Sequence, residues 1–237
     1  KEDPGSDCEG SIQQKMLGVL LLQMSALHSA VVLGAVACVA AAAWYATKAG
    51  AFHRIVVTMG STPPMQVAYK LHVGDYSGCG VHCEAVAKAA GKDVEQHQDC
   101  GFLMVWLDDP AEVPKGKTRY IVGLIIGKDR VFEGLPDKLK AAGYEVATLP
   151  GVKSGVAKFP FNGILSVMIA IFGKKVYEKL GAFAKEQGVY DSVQVFMEVT
   201  WTTAGFTRYY VPLESSEKFL LGHPGPREYV SSLKKQA

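Results

Sequence analysis

Five side chains able to ligate a metal fall close together in the chain: Cys79, His82, Cys83, His97 and Cys100. On a helix Cys79 and Cys83 stand one turn apart, and His97-x-x-Cys100 adds an imidazole and a third thiolate. Together these make the donor set of a tetrahedral zinc site. Cys79, Cys83, His97 and Cys100 are therefore the candidate metal ligands. The competing readings are inert thiols buried on a helix, and a Cys83–Cys100 disulfide. His82-Cys83-Glu84 has the His-x-Glu of zinc deaminases, but no Pro-Cys-x-x-Cys follows it. No resident cofactor is expected, with structural zinc as the alternative.

Other reactive arrangements are missing. Gly74, Gly78 and Gly80 lack the downstream Lys-Ser/Thr of a phosphate loop and the spacing of a dinucleotide fingerprint. There is no Gly-x-Ser-x-Gly elbow. Asp108-Asp109 precede Pro110 and read as a turn, where Asp is favoured by local hydrogen bonding. With no nucleophile–base set in view, the expectation is a protein that binds and does not catalyse.

The formal net charge of +2 is too small to imply nucleic acid or an acidic partner. Five cysteines, an odd number, do not make a disulfide framework, so the main domain is expected in a reducing compartment.

Between Lys15 and Lys48 there is no charged residue. Crossing a ~30 Å hydrocarbon core takes ~20 apolar residues, so residues 16–46 are expected to form one transmembrane helix. A signal peptide is the competing reading, but its apolar region is shorter, ~7–15 residues. Trp44 and Tyr45 sit where amphipathic rings favour the headgroup level. Ala26, Ala30, Gly34 and Cys38 recur every fourth residue and leave one face of the helix without bulk. A second helix can approach closely there, so other subunits of a membrane complex are expected partners beside lipid. Gln23, Ser25, His28 and Ser29 in the first half of the span point the same way.

The rest of the chain divides into a tail (1–15), a connector (47–64), an α+β domain (65–213) and a C-terminal tail (214–237). Met65–Val73 alternates as a strand, and residues 74–92 read as a short helix. Gly101–Leu107 and Thr118–Ile126 follow as a strand pair. After a short helix (Leu135–Ala142) and strand (Tyr144–Leu149), the order repeats. Gly155–Pro160 is a strand, and Asn162 caps a helix over Ile164–Gln187. Ser192–Trp201 and Phe206–Leu213 form a hairpin. Strand–helix–strand–strand thus occurs twice, and a groove between two such units is where a small-molecule ligand is expected.

Val67–Gly80 (VAYKLHVGDYSGCG), the Phe159-Pro160-Phe161 turn with Ile164-Leu165-Ser166, and the closing Val211-Pro212-Leu213 carry a family likeness. The chain resembles the testis-expressed protein 264-like family, a GyrI-like domain behind a single N-terminal membrane helix. The resemblance implies a duplicated β-α-β-β fold and a non-enzymatic receptor or adaptor for autophagy in the endoplasmic reticulum membrane. A mitochondrial or plastid membrane is the alternative location. It also implies an acid on the second-repeat strand that pairs with cationic ligands. Gln194 stands in that place here, with Glu198 further along the strand. Tyr69, Gln194, Phe196 and Glu198 are accordingly the candidate groove residues. Three roles follow: a scaffolding module in a membrane complex, the autophagy receptor, or a sensor of a small apolar or haem-type ligand.

Overall fold

The computed structural model describes His28, residues 31–127 and residues 130–236. The chain forms two units, Lys1–Thr47 and Lys48–Ala237.

In the first, helix α1 (Val31–Lys48) has a mean hydropathy of 1.6 and no buried residue, and it is long and apolar enough to cross a membrane. Gly34 and Cys38 of the small-residue row lie on it, with open space around Gly34. Ala26, Ala30 and the start of the expected span lie outside the described residues.

The second unit is built on one eight-stranded antiparallel sheet. Its first repeat is β2 (Met65–Val73), α2 (Cys79–Ala90) with the short α3 (Lys92–Glu95), β3 (Phe102–Trp106) and β4 (Arg119–Ile126). The second is β6 (Val152–Pro160), α5 (Ile164–Met168), α6 (Val176–Glu186), β7 (Phe196–Trp201) and β8 (Phe206–Pro212). Two edge strands complete the sheet, β1 (Thr58–Thr62) and β5 (Glu145–Leu149), with α4 (Leu135–Ala141) leading into β5. The strand order β1-β6-β8-β7-β3-β4-β2-β5 puts the repeats back to back, joined where β7 pairs with β3. The duplicated α+β order expected from the sequence is therefore present.

Edge strands are exposed pairing templates, and this fold ties its two edges together. β1 pairs with β6 in the register Thr62↔Val152, and β2 pairs with β5 in the register Met65↔Leu149. Those registers continue one another across Pro63-Pro64 and Pro150-Gly151. β1–β2 and β5–β6 are thus one antiparallel ribbon running from one side of the sheet to the other. Proline has no N–H to give the ladder, so the ribbon breaks pairing there and can bend. The residues read as a connector supply β1, one side of this ribbon.

The strands alternate, so each face of the sheet has its own core. On one face Val67, Leu103, Val105, Ile121, Met197, Val199 and Tyr210 pack with Phe219 and Leu220. Those last two belong to a 3-10 turn (Ser216–Leu220) in the segment expected to be a loose tail, which continues into helix α7 (Pro226–Gln236). The other face carries the helices. Val86, Ala87 and Ala90 of α2 and Leu135 and Leu139 of α4 cover one repeat. Val176, Leu180 and Ala184 of α6 cover the other.

The single helix expected over Ile164–Gln187 is broken. A π-turn (Ile169–Gly173) follows α5, and Lys175 adopts a left-handed conformation with φ 54° before α6 begins. Asn162 does not cap α5 with its side chain: Gly163 holds the N-cap position, and the Asn162 N–H donates to Ser166 Oγ at 2.8 Å.

Candidate functional site

On the helix-covered face, at the seam of the repeats, Glu198 of β7 is registered against Met104 of β3 on one side and Tyr209 of β8 on the other. It is 3 % exposed, in the middle of the sheet. Its Oε2 accepts a hydrogen bond from the Tyr177 hydroxyl at 2.6 Å, and that hydroxyl accepts from Trp106 Nε1. Tyr177 reaches it from the first turn of α6, and Trp106 from the last position of β3. Among the described residues no cationic side chain pairs with the carboxylate.

Aromatic rings surround it. Trp106 lies 4.6 Å from Tyr76 and 6.0 Å from Tyr120 between centroids, and Tyr177 meets Phe196 and Tyr209 edge-on at 5.9 and 5.7 Å. Cys79 and Cys83 of α2 pack against the same Met104–Tyr120–Val122 cluster.

Burial sets the electrostatics. It pushes the Glu198 carboxyl up to about 7, a rise the Tyr177 hydrogen bond partly opposes. Burial, then the Glu198 charge, drives the Tyr177 hydroxyl well above the ordinary phenol range. The Cys83 thiol is pushed up to about 12 by burial, with Cys79 and Glu198 adding to the rise. Cys79 moves the same way, again through burial and then Glu198. These thiols stay protonated at neutral pH, and the carboxyl sits at its midpoint.

The expected groove residues part company. Glu198 and Phe196 are at this site. Gln194 is not: it precedes β7, and its N–H donates to Ser216 Oγ at 2.9 Å. The acid therefore stands at 198, four residues along from the place expected for it. Tyr69 is on the opposite face, in the core with Val67 and Leu103, and its hydroxyl donates to Glu145 Oε2 at 2.8 Å.

Nor are the candidate zinc ligands brought together. Cys79 faces the Met104 cluster, Cys83 packs between that cluster and the one of Val86, Phe102 and Leu124, and Cys100 is buried in the latter. The His97 ring stands edge-on to Phe132 at 5.2 Å. Among the described residues no three His, Cys, Asp or Glu side chains could hold a metal ion. Cys38, Cys79, Cys83 and Cys100 are free thiols, so the Cys83–Cys100 disulfide is absent.

Two features near the site escaped sequence reasoning. Asp108, read as a turn residue, is buried against Arg119, whose Nη2 and Nε donate to its two carboxylate oxygens at 2.7 and 2.9 Å. Arg119 Nη1 also donates to Pro224 O at 2.9 Å, and its guanidinium lies 3.8 Å from the Tyr229 ring of α7. The Tyr76 hydroxyl donates to Asp108 O. His72 of β2 and His82 of α2 stack at 3.6 Å, and burial, then His82, lowers His72 to about 4. Both pairs join residues ten or eleven positions apart that lie on different elements or loops, and nothing in local spacing announces them.

No protein-family model matches the chain, and no curated protein matches it. Similar solved structures include SAV2435 bound to tetraphenylphosphonium, with a TM-score of 0.40, 13% identity, and 71% of this chain and 98% of that one covered. The EcmrR C-terminal domain gives 0.40, 10% identity, and 67% and 96% coverage. A hydrolase from Listeria innocua gives 0.40, 9% identity, and 71% and 97% coverage. At this distance the functional reading rests on the chain's own residues.

Proposed function

We propose that this chain is a membrane-anchored, non-enzymatic binding module of the GyrI-like kind, and that the seam around Glu198 receives a cationic aromatic ligand. The observation that carries the reading is the carboxyl of Glu198, buried among aromatic rings with a phenol as its hydrogen-bond partner. A bare carboxylate in such a place is costly, and an organic cation would neutralise it while stacking on Trp106, Tyr76 and Tyr177. Admission of the ligand requires these rings to swing aside, since they fill the seam. The half-buried positions of Trp106, Tyr76 and Tyr177 at its rim support such movement. The protonated state of the neighbouring thiols favours binding over covalent chemistry. The apolar α1, without a charged residue before Lys48, supports the membrane anchor.

The test uses the full chain in lipid nanodiscs, with tetraphenylphosphonium as the probe and empty nanodiscs as the blank for partitioning. Saturable binding is expected, weakened about 10-fold or more by Glu198→Gln, because a fully desolvated charge pair is lost. Affinity should rise from pH 6 to pH 8 as Glu198 ionises. Equal binding by the variant sinks the reading.

A second reading is membership in a larger membrane assembly. Its support is the small-residue face at Gly34 and Cys38, where α1 leaves room for another helix. Native purification with mass spectrometry tests it: a co-purifying membrane protein of fixed stoichiometry is expected, and a lone monomer refutes it.

A further inference from the structure

The segment Ile164–Gly173 has two faces of opposite use. Its inner side holds Ala170, fully buried, with Ile169 and Ile171 packed into the core beneath α6. Its outer side presents Ile164, Leu165, Met168 and Phe172, of which Ile164 and Phe172 are 75% and 69% exposed. Their spacing puts Ile164, Met168 and Phe172 on one stripe, each a helical turn or so from the next. Four large apolar side chains together on a surface mark a contact site.

The break before α6 makes this arrangement possible. Had the helix run on unbroken, one direction would have served both stretches. The left-handed Lys175 redirects the chain, so that α6 lays Val176, Leu180 and Ala184 on the sheet while Ile164–Phe172 keeps an outward stripe.

What covers the stripe is indicated by where it begins. The residues that follow α1 in the chain dock at the end of β6. Gly50, at φ +89°, leaves room for Phe159 and Pro160 where a Cβ would stand 2.5 Å from the Phe159 ring. His53 Nε2 lies 3.2 Å from Lys158 O, and its ring meets Phe159 edge-on. Ile55 is buried in the same cluster as Ala170, and Lys179 Nζ donates to its carbonyl at 3.4 Å. The chain leaving α1 is thus held at Phe159–Pro160, and Ile164 comes four residues after that strand ends. Between Ala157 and Leu180 the charged residues are Lys158, Lys174, Lys175 and Lys179 against the single acid Glu178, which pairs with Lys175 at 3.1 Å. Basic residues flanking an apolar stripe are the composition of an interfacial membrane segment.

We infer that Ile164–Phe172 is a second membrane contact, seated in the headgroup region of the bilayer that α1 crosses, with Lys174 and its neighbours on anionic headgroups. The inference rests on the reading of α1 as a membrane span.

The experiment is photo-crosslinking of the full chain reconstituted in a mixed phosphatidylcholine–phosphatidylglycerol bilayer carrying a diazirine phospholipid, with the adducts mapped by peptide mass spectrometry. Lipid adducts are expected in α1 and in Ile164–Phe172, and none in Leu135–Ala141. Phe172→Asp combined with Ile164→Asp should remove the second set about 10-fold or more and leave the first unchanged. Because both side chains point outward, the fold should survive, as checked by an unchanged thermal midpoint. Lys174→Gln should lower the adducts in the anionic bilayer and not in pure phosphatidylcholine. Adducts in α1 without any in Ile164–Phe172 overturn the inference alone. Absence of adducts in α1 overturns the membrane reading beneath it. Crosslinks from Phe172 to a second copy, in place of lipid, also overturn it and assign the stripe to self-association.

Discussion

Met104 and Glu198 face each other across the β3–β7 pair, and each stands at the corresponding place in its own repeat. The two halves of the fold meet as near-equivalents, yet one contributes a thioether and the other a carboxyl. That asymmetry gives the β3–β7 pair one carboxyl at this position in place of two. A matching acid at 104 would have set two carboxyls side by side, which neither could ionise without cost to the other.

Stability should depend on pH through Glu198. Its carboxyl ordinarily titrates near 4.5 and is raised to about 7 in the fold, so the folded state holds the proton more tightly. The resulting stabilisation is complete below about 4.5 and is lost as pH rises through about 7. Glu198→Gln should remove this dependence and be more stable than the parent at pH 8, by on the order of 3 kcal/mol. Denaturant unfolding in detergent at pH 5.5 and pH 8 measures it. Parallel pH profiles for parent and variant would exclude Glu198 as their source.

Tyr177→Phe removes both the donor to Glu198 and the acceptor for Trp106. Leaving Trp106 Nε1 without its partner should cost about 1–3 kcal/mol. Since the Tyr177 bond opposes the rise of the Glu198 carboxyl, its loss should move that titration above about 7. Infrared titration of the protonated carboxyl band reads the midpoint, and a downward move would contradict the geometry.

Arg119→Met strands Asp108 as a buried, unpaired carboxylate and should destabilise the domain by about 3–5 kcal/mol. It also removes two of the contacts at α7, the bond to Pro224 O and the guanidinium on the Tyr229 ring, while the Tyr229 hydroxyl still donates to Lys117 O. Limited proteolysis should cut within 221–236 faster in the variant than in the parent. Unchanged cleavage would show that α7 is secured elsewhere.

The stacked histidines should weaken the fold in acid. His72 is lowered from 6.5 to about 4, so it adds stability above about 6.5 that disappears as pH falls through about 4. His72→Phe should flatten the thermal midpoint between those limits. A variant that tracks the parent throughout the window would remove His72 from the account.

The uncharged run, the strand Met65–Val73 and the repeated strand–helix–strand–strand order are all readable in the chain, because apolar length and period-2 alternation are carried by neighbouring residues. The candidate site was half readable: Glu198 and Phe196 lie where a strand of the second repeat had to be, but Gln194 and Tyr69 do not join them. In an unbroken strand Gln194 would share the face of Glu198, yet a 3-10 turn at Tyr190–Ser192 delays β7 and hands Gln194 to Ser216. Tyr69 faces away because the register of β2 against β4 and β5 settles which parity points to the helices. Similarly, Ile164–Gln187 reads as one helix until the packing of α6 on the sheet rewards a left-handed residue at Lys175. Local patterns specify which element forms. Which face it shows, and to whom, is fixed by pairing between segments tens of residues apart, where burial of the whole sheet outweighs the preference of any single stretch.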